Sequence, residues 1–109
     1  GYDDHLLNTL ELGGDGSITA SMNFAPELSV GIYEAFQKGD YQKAVELDKK
    51  LVQLPALYGL EVPFMSVIKY ATVLATGVDM TTYSLPPVRP LTEETKEAVK
   101  AFLAAKGVI

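Results

Sequence analysis

Residues 13–21 read Gly13-Gly14-Asp15-Gly16-Ser17-Ile18-Thr19-Ala20-Ser21, and the fold turns on how this stretch is built. The paired glycines stop the segment before them and Asp15-Gly16 supplies a turn. The small and β-branched residues of 17–21 then predict a short strand. It is the one convincing strand signal in the 109 residues. A lone strand leaves backbone donors and acceptors unpaired on both edges. Residues 17–21 therefore pair with neighbours outside the chain, pair with a symmetry-related copy, or lie in irregular structure.

The rest of the chain reads as helix. Before the glycines, Leu6, Leu7 and Leu10 recur at helical spacing over Asp3–Leu12, with Asp3 and Asp4 at the end where the helix dipole favours acids. Beyond residue 21, Pro26 suits a first helical position, Leu28, Ile32, Tyr33 and Phe36 share a face, and Lys38-Gly39 ends the segment. Asp40 caps a third helix whose Ala44, Leu47, Leu51 and Leu54 repeat every three or four residues until Pro55 kinks or ends it. Pro63 opens a fourth, running to Thr76, with Phe64, Val67, Ile68, Ala71 and Leu74 inward and Gly77 as its stop. Residues 78–91 hold Pro86, Pro87 and Pro90, so they should be extended and irregular, held by the apolar anchors Tyr83, Leu85 and Val88. Thr92 caps the last helix, Glu93 and Glu94 occupy its positive end, Val99, Phe102 and Leu103 face inward, and Lys106-Gly107 closes it. The fold class is mainly α: about five helices and one short strand. No internal repeat or low-complexity segment occurs.

Composition excludes several function classes. With 48% hydrophobic and 21% charged residues the chain is too apolar to be disordered throughout. The absence of cysteine removes disulfides, thiolate metal sites and a cysteine nucleophile, and fits a reducing, cytoplasmic setting. Fourteen acidic against nine basic side chains give a net charge of −5, a field that gathers neither nucleic acid nor anionic membrane. No apolar run approaches the ~18 residues of a membrane span. The start at Gly-Tyr-Asp-Asp-His, without Met and polar throughout, suggests no signal peptide and a chain that begins mid-protein.

Each candidate for chemistry has a plainer reading. His5 follows Asp3 and Asp4, but adjacent residues on one turn point apart, so the trio is read as helix-terminal charge and no metal is expected. Gly13-Gly14-Asp15-Gly16 precedes a strand and carries an acid, unlike a phosphate cradle, and is read as a turn. A nucleophilic serine finds no GxSxG elbow. Lys69 sits in an apolar helix, where desolvation activates an amine toward a Schiff base, yet a lysine there also snorkels its head to water, and that reading is adopted.

Read in order, the chain shows Gly1-x-Asp3, a short helix, Gly13-Gly14-x-Gly16-x-Ile18 and Asn23 three residues before Pro26. There follow Lys38-Gly39-Asp40 with Ala44, Pro63 followed by Lys69, and Leu85-Pro86-Pro87-x-x-Pro90-Leu91. That order resembles the C-terminal part of the dihydrodipicolinate synthase and N-acetylneuraminate lyase family of class I aldolases, over nearly the whole chain. The resemblance implies a C-terminal fragment of a (β/α)8 TIM barrel with its helical extension. Residues 1–38 would be the last strand and helices of the barrel, and 39–109 the extension. Residues 17–21 would be the eighth strand, its partners being the seventh and first. The rest of the barrel is then a partner of this chain, and a homo-oligomer is expected.

The family forms a Schiff base between a barrel lysine and pyruvate or another 2-keto acid, with an aldehyde as the second small-molecule substrate and no cofactor. The resemblance puts that lysine, on the sixth strand, and a proton-relaying tyrosine, on the fifth, ahead of Gly1. No catalytic residue is then expected in this chain, which alone should be inactive. Lys69 matches a different lysine, in the C-terminal helices. Gly1-Tyr2-Asp3-Asp4 is similar to the Gly-Tyr-Asp-Glu of the sialic acid lyase branch, which makes Gly1, Asp3 and Asp4 the implied substrate-binding residues, accepting hydrogen bonds from a sugar acid's hydroxyls. Asp4 is shorter than that branch's Glu, Ala20 stands in place of its substrate-binding Ser, and Gly-Asp-Asp also occurs in the synthase branch, so the subfamily stays open. The competing reading is a non-catalytic helical module whose apolar faces serve self-association or partner binding.

Overall fold

The leucines that predicted the first helix are buried in the structure, a computed structural model that describes residues 1–109. A 3-10 turn over Asp3–His5 leads into α1 (Leu6–Glu11), and Leu6, Leu7 and Leu10 all face inward. Gly13 then takes a positive φ of 91°, and Gly14 lies so close to Thr9 that any β-carbon would collide with it. This is why two glycines stand together: the first lets the chain reverse and the second lets it pass over the helix end.

The strand expected over 17–21 does not form. Residues 15–19 run without regular pairing, Thr19 has extended angles (φ −136°, ψ 157°), and Ala20–Asn23 close into a 3-10 turn. The backbone does reach the β region, but a strand also requires a ladder partner, and no other extended segment supplies one. The regular structure of the chain is therefore all helical, with five α-helices, three 3-10 segments and no strand.

The chain divides into two compact units, Gly1–Pro55 and Ala56–Ile109. In the first, α1 packs on α2 (Pro26–Gln37) and α3 (Tyr41–Leu51), and α2 lies along α3. Pro26 opens α2 as predicted. The helix ends through Gly39, whose φ of 78° is one that residues with side chains avoid. On α2 the buried positions are Ser29, Ile32 and Ala35, while Tyr33 is turned outward. Asp40 caps α3 by accepting from the Lys43 backbone N–H at 3.2 Å, and Ala44 and Leu51 are fully buried. The helix stops at Leu51, short of Pro55, which lies in the 3-10 segment Leu54–Leu60.

In the second unit α4 (Met65–Thr76) packs on α5 (Glu93–Ala105). It begins two residues after Pro63 and ends at Gly77, in the left-handed conformation. Val67, Ile68 and Ala71 of α4 and Val99 and Leu103 of α5 are buried. The Thr92 hydroxyl caps α5 by accepting from the Thr95 N–H at 3.1 Å. The proline-rich segment is irregular as expected, but Tyr83 and Leu85 are 62% and 75% exposed and do not anchor it. Polar contacts do: the Lys69 ammonium donates to the Tyr83 carbonyl at 2.6 Å, and the Arg89 guanidinium donates to Glu61 at 2.6 Å.

Candidate functional site

The three residues implied for substrate binding start the chain, and residues 18–21 lie against them. The Gly1 nitrogen donates to the Ile18 carbonyl at 3.0 Å. Asp3 is buried, and its Oδ1 accepts from the Ser21 backbone N–H at 3.1 Å and from the Ser21 hydroxyl. Ser21 in turn accepts at its carbonyl from Phe24 and Ala25 N–H groups, so all its polar atoms are engaged. Two stretches 18 residues apart are thereby tied side by side by one carboxylate. Hydrogen bonds to an ionised group are about twice as strong as neutral ones, so this junction is a firm one.

Asp3 and Asp4 have different surroundings although they are neighbours. The Asp4 side chain is 48% exposed, with His5 Nε2 3.8 Å from its carboxylate. Gly1 is exposed. The structure thus places Gly1 and Asp4 where a solute reaches them and places Asp3 beneath, bonded to Ser21. Nowhere do three His, Cys, Asp or Glu side chains converge as metal ligands. Asp4 also acts at a distance: it and Glu11 raise the pKa of Asp48 on α3, although partial burial of Asp48 is the larger cause. Asp48 Oδ1 is buried without a hydrogen-bond partner, in keeping with that direction.

Sequence reading overlooked the hydroxyls beside this junction. Ser17 and Thr19 are two apart in the extended segment, which puts them on one side of it, and Ser21 follows in the 3-10 turn. The Ser17 and Thr19 hydroxyls are buried without partners, while Ser21 meets Asp3. The period-two spacing was visible in the sequence; which face it would occupy was not. Lys69 lies in the other unit, and its ammonium donates to the Tyr83 backbone carbonyl.

Comparisons with known proteins agree on one family. The pattern of the "Dihydrodipicolinate synthetase family" matches residues 1–106. Over all 109 residues the chain is 58% identical to the "Probable 2-dehydro-3-deoxy-D-pentonate aldolase YjhH" of Escherichia coli, covering 36% of that protein. Among solved structures it matches YagE of E. coli K12, a prophage protein of the dihydrodipicolinic acid synthase family in complex with pyruvate. The TM-score is 0.94 at 48% identity, over 100% of this chain and 36% of that one. Dihydrodipicolinate synthase of Thermotoga maritima matches with a TM-score of 0.80 at 28% identity, over 100% of this chain and 36% of that one. This chain therefore spans about a third of the length of these relatives. The neighbours are TIM-barrel enzymes, and the helical chain corresponds to a C-terminal portion of that fold.

Proposed function

The chain belongs to the dihydrodipicolinate synthetase family, and from that premise we propose that its parent is a lyase that cleaves or forms a carbon–carbon bond beside a 2-keto acid through a lysine imine. The observation that carries the reading is the 58% identity, sustained over all 109 residues, to a protein whose name is that of a 2-dehydro-3-deoxy sugar-acid aldolase. That likeness favours a 2-keto-3-deoxy sugar acid over an amino-aldehyde as the substrate. In this proposal residues 1–38 complete the barrel and residues 39–109 form its helical extension. The parent works as a homo-oligomer in the cytoplasm. No helix here is long and apolar enough to cross a membrane.

In the proposed reaction the ε-amino group of a lysine preceding Gly1 condenses with the C2 carbonyl of the 2-keto acid and releases water. The resulting cation draws the electrons of the C3–C4 bond. As that bond breaks, the C4 hydroxyl gives its proton to a base and an aldehyde departs. The enamine left behind takes a proton at C3 and is hydrolysed to pyruvate and free lysine.

The contribution of this chain is to hold the hydroxylated tail. Carbonyl and carboxylate oxygens accept from hydroxyls without donating, so Gly1 and Asp4, supported from beneath by Asp3, form a surface selective for a polyol. Asp4 and the Gly1 carbonyl make the direct contacts. Asp3 works through Ser21, keeping the first residues and residues 18–21 in register. Orientation of this kind lowers the barrier by holding the scissile bond aligned with the imine.

The test is to incubate the full-length protein with pyruvate, reduce with borohydride and weigh it intact. One reduced pyruvate adduct per subunit is expected. Absence of an adduct on folded protein would refute the imine, and an adduct on residues 1–109 alone would refute the placement of the lysine.

A further inference from the structure

The second unit carries a polar cavity that the proposed reaction does not use. It has a volume of about 260 Å³ and is lined by Ser66, Thr81, Thr82, Ser84 and the Lys96 side chain among others. Ser66 belongs to the first turn of α4, and no side chain caps that helix. The first N–H groups of a helix lack partners within it, and its dipole makes this end attractive to anions.

Geometry at a helix end would mean little alone, but the buried hydroxyls add an independent sign. Ser66 is only 2% exposed, lines the cavity, and its Oγ has no hydrogen-bond partner. The Ser84 Oγ is likewise buried and unpartnered. A buried hydroxyl without a partner loses its hydration for nothing unless another group enters to accept its proton. The Thr81 hydroxyl accepts from the Tyr83 N–H at 3.1 Å, which leaves its own proton to give. Lys69, by holding the Tyr83 carbonyl, keeps residues 81–84 over α4.

The charge on the wall is positive. Lys96 is two-thirds buried, with its ammonium 3.3 Å from Glu93 and 5.9 Å from the centre of the Tyr70 ring. Glu93 itself is 87% exposed and does not line the cavity. Four hydroxyls, an ammonium and a helix N-terminus thus offer donors from several directions, with no carboxylate lining the space. At 260 Å³ the space exceeds the roughly 30 Å³ share of one water and falls just short of the ~300–1,000 Å³ typical of drug-sized ligands.

We propose that this cavity binds a phosphate group, either inorganic phosphate or that of a small ester, held by Lys96, by the Ser66 hydroxyl in the first turn of α4 and by the Ser84 hydroxyl of the proline-rich segment. A tetrahedral oxyanion accepts from all these directions at once, which neither a planar amide nor an apolar group does. The site is distinct from the Gly1–Asp4 region and stands whether or not the imine chemistry holds.

Equilibrium dialysis of the full-length protein against radiolabelled inorganic phosphate tests it, with Lys96→Gln, Ser66→Ala and Lys100→Gln beside the native protein. Lys100 is on the same helix, pairs with Glu97 and does not line the cavity, so its variant controls for general loss of charge. One saturable phosphate per chain is expected, with K96Q and S66A each weakening it roughly tenfold and K100Q leaving it unchanged. S66A should melt no lower than the native protein, because the hydroxyl it removes has no partner to lose. Lack of saturable binding overturns the proposal. So does K100Q weakening phosphate as much as K96Q, or K96Q and S66A both binding as tightly as the native protein.

Discussion

Asp3→Ala is the sharpest perturbation of the first unit, because one carboxylate oxygen serves two donors of a residue with no exposed surface. Removing it strands the Ser21 N–H and the Ser21 hydroxyl together. Each orphaned buried donor costs about 1–3 kcal/mol, so D3A should lose about 3 kcal/mol or more. Ser21→Ala removes one donor along with its bond and leaves the Asp3 contact to the residue 21 N–H, for a cost of about 1 kcal/mol. In the double variant the stranded hydroxyl is gone, so the combined loss should fall short of the sum by about 1 kcal/mol, a coupling typical of direct contacts. Asp3→Asn keeps an acceptor at the same place and should lie between D3A and the native protein. Urea denaturation followed by far-UV circular dichroism measures all four. A D3A cost under about 0.5 kcal/mol, the level of an ordinary surface change, would refute the reasoning, as would strict additivity with S21A.

Two further outcomes follow from the same geometry. Asp48 has a raised pKa through burial first and then through Asp4 and Glu11, so the folded state binds its proton more tightly than the unfolded state does. The stability it contributes is then greatest in acid and declines as pH climbs from the ordinary carboxylate range through the raised value. Asp48→Asn should therefore unfold at higher urea than the native protein at neutral pH, with the gain shrinking toward about pH 3, and an equal gain at both pH values would disprove the cause. Lys69→Met should still yield the reduced pyruvate adduct in the full-length protein, since its ammonium is spent on the Tyr83 carbonyl. Loss of the adduct in folded K69M would make Lys69 the imine residue after all.

What the sequence by itself determined is the set of elements whose bonds close within a turn or two. Asp40 and Thr92 cap the helices they were expected to cap, because a cap is a contact between residues three apart. Gly39 and Gly77 end theirs because a positive φ is a local property of the backbone. The ordered motifs from Gly1 to Leu91 also sufficed to identify the family, for they record spacing and not contact. Tertiary structure decided the rest. Thr19 reaches extended angles, yet residues 17–21 form no strand: a ladder is a bond between distant segments, none is paired here, and Ala20 and Ser21 close into a 3-10 turn instead. Asp3 and Asp4 are the same residue type side by side, yet one is sealed against Ser21 and the other faces water, a difference set by what lies 18 residues away. Tyr83 and Leu85 are exposed, and their segment is held instead by polar contacts, of Lys69 to its backbone and of Glu61 to Arg89. The unpartnered hydroxyl of Ser66, a residue to which the helical pattern assigned no role, acquires meaning only from the cavity it lines. Local backbone geometry is written in neighbouring residues; burial and partnership depend on which parts of the chain meet.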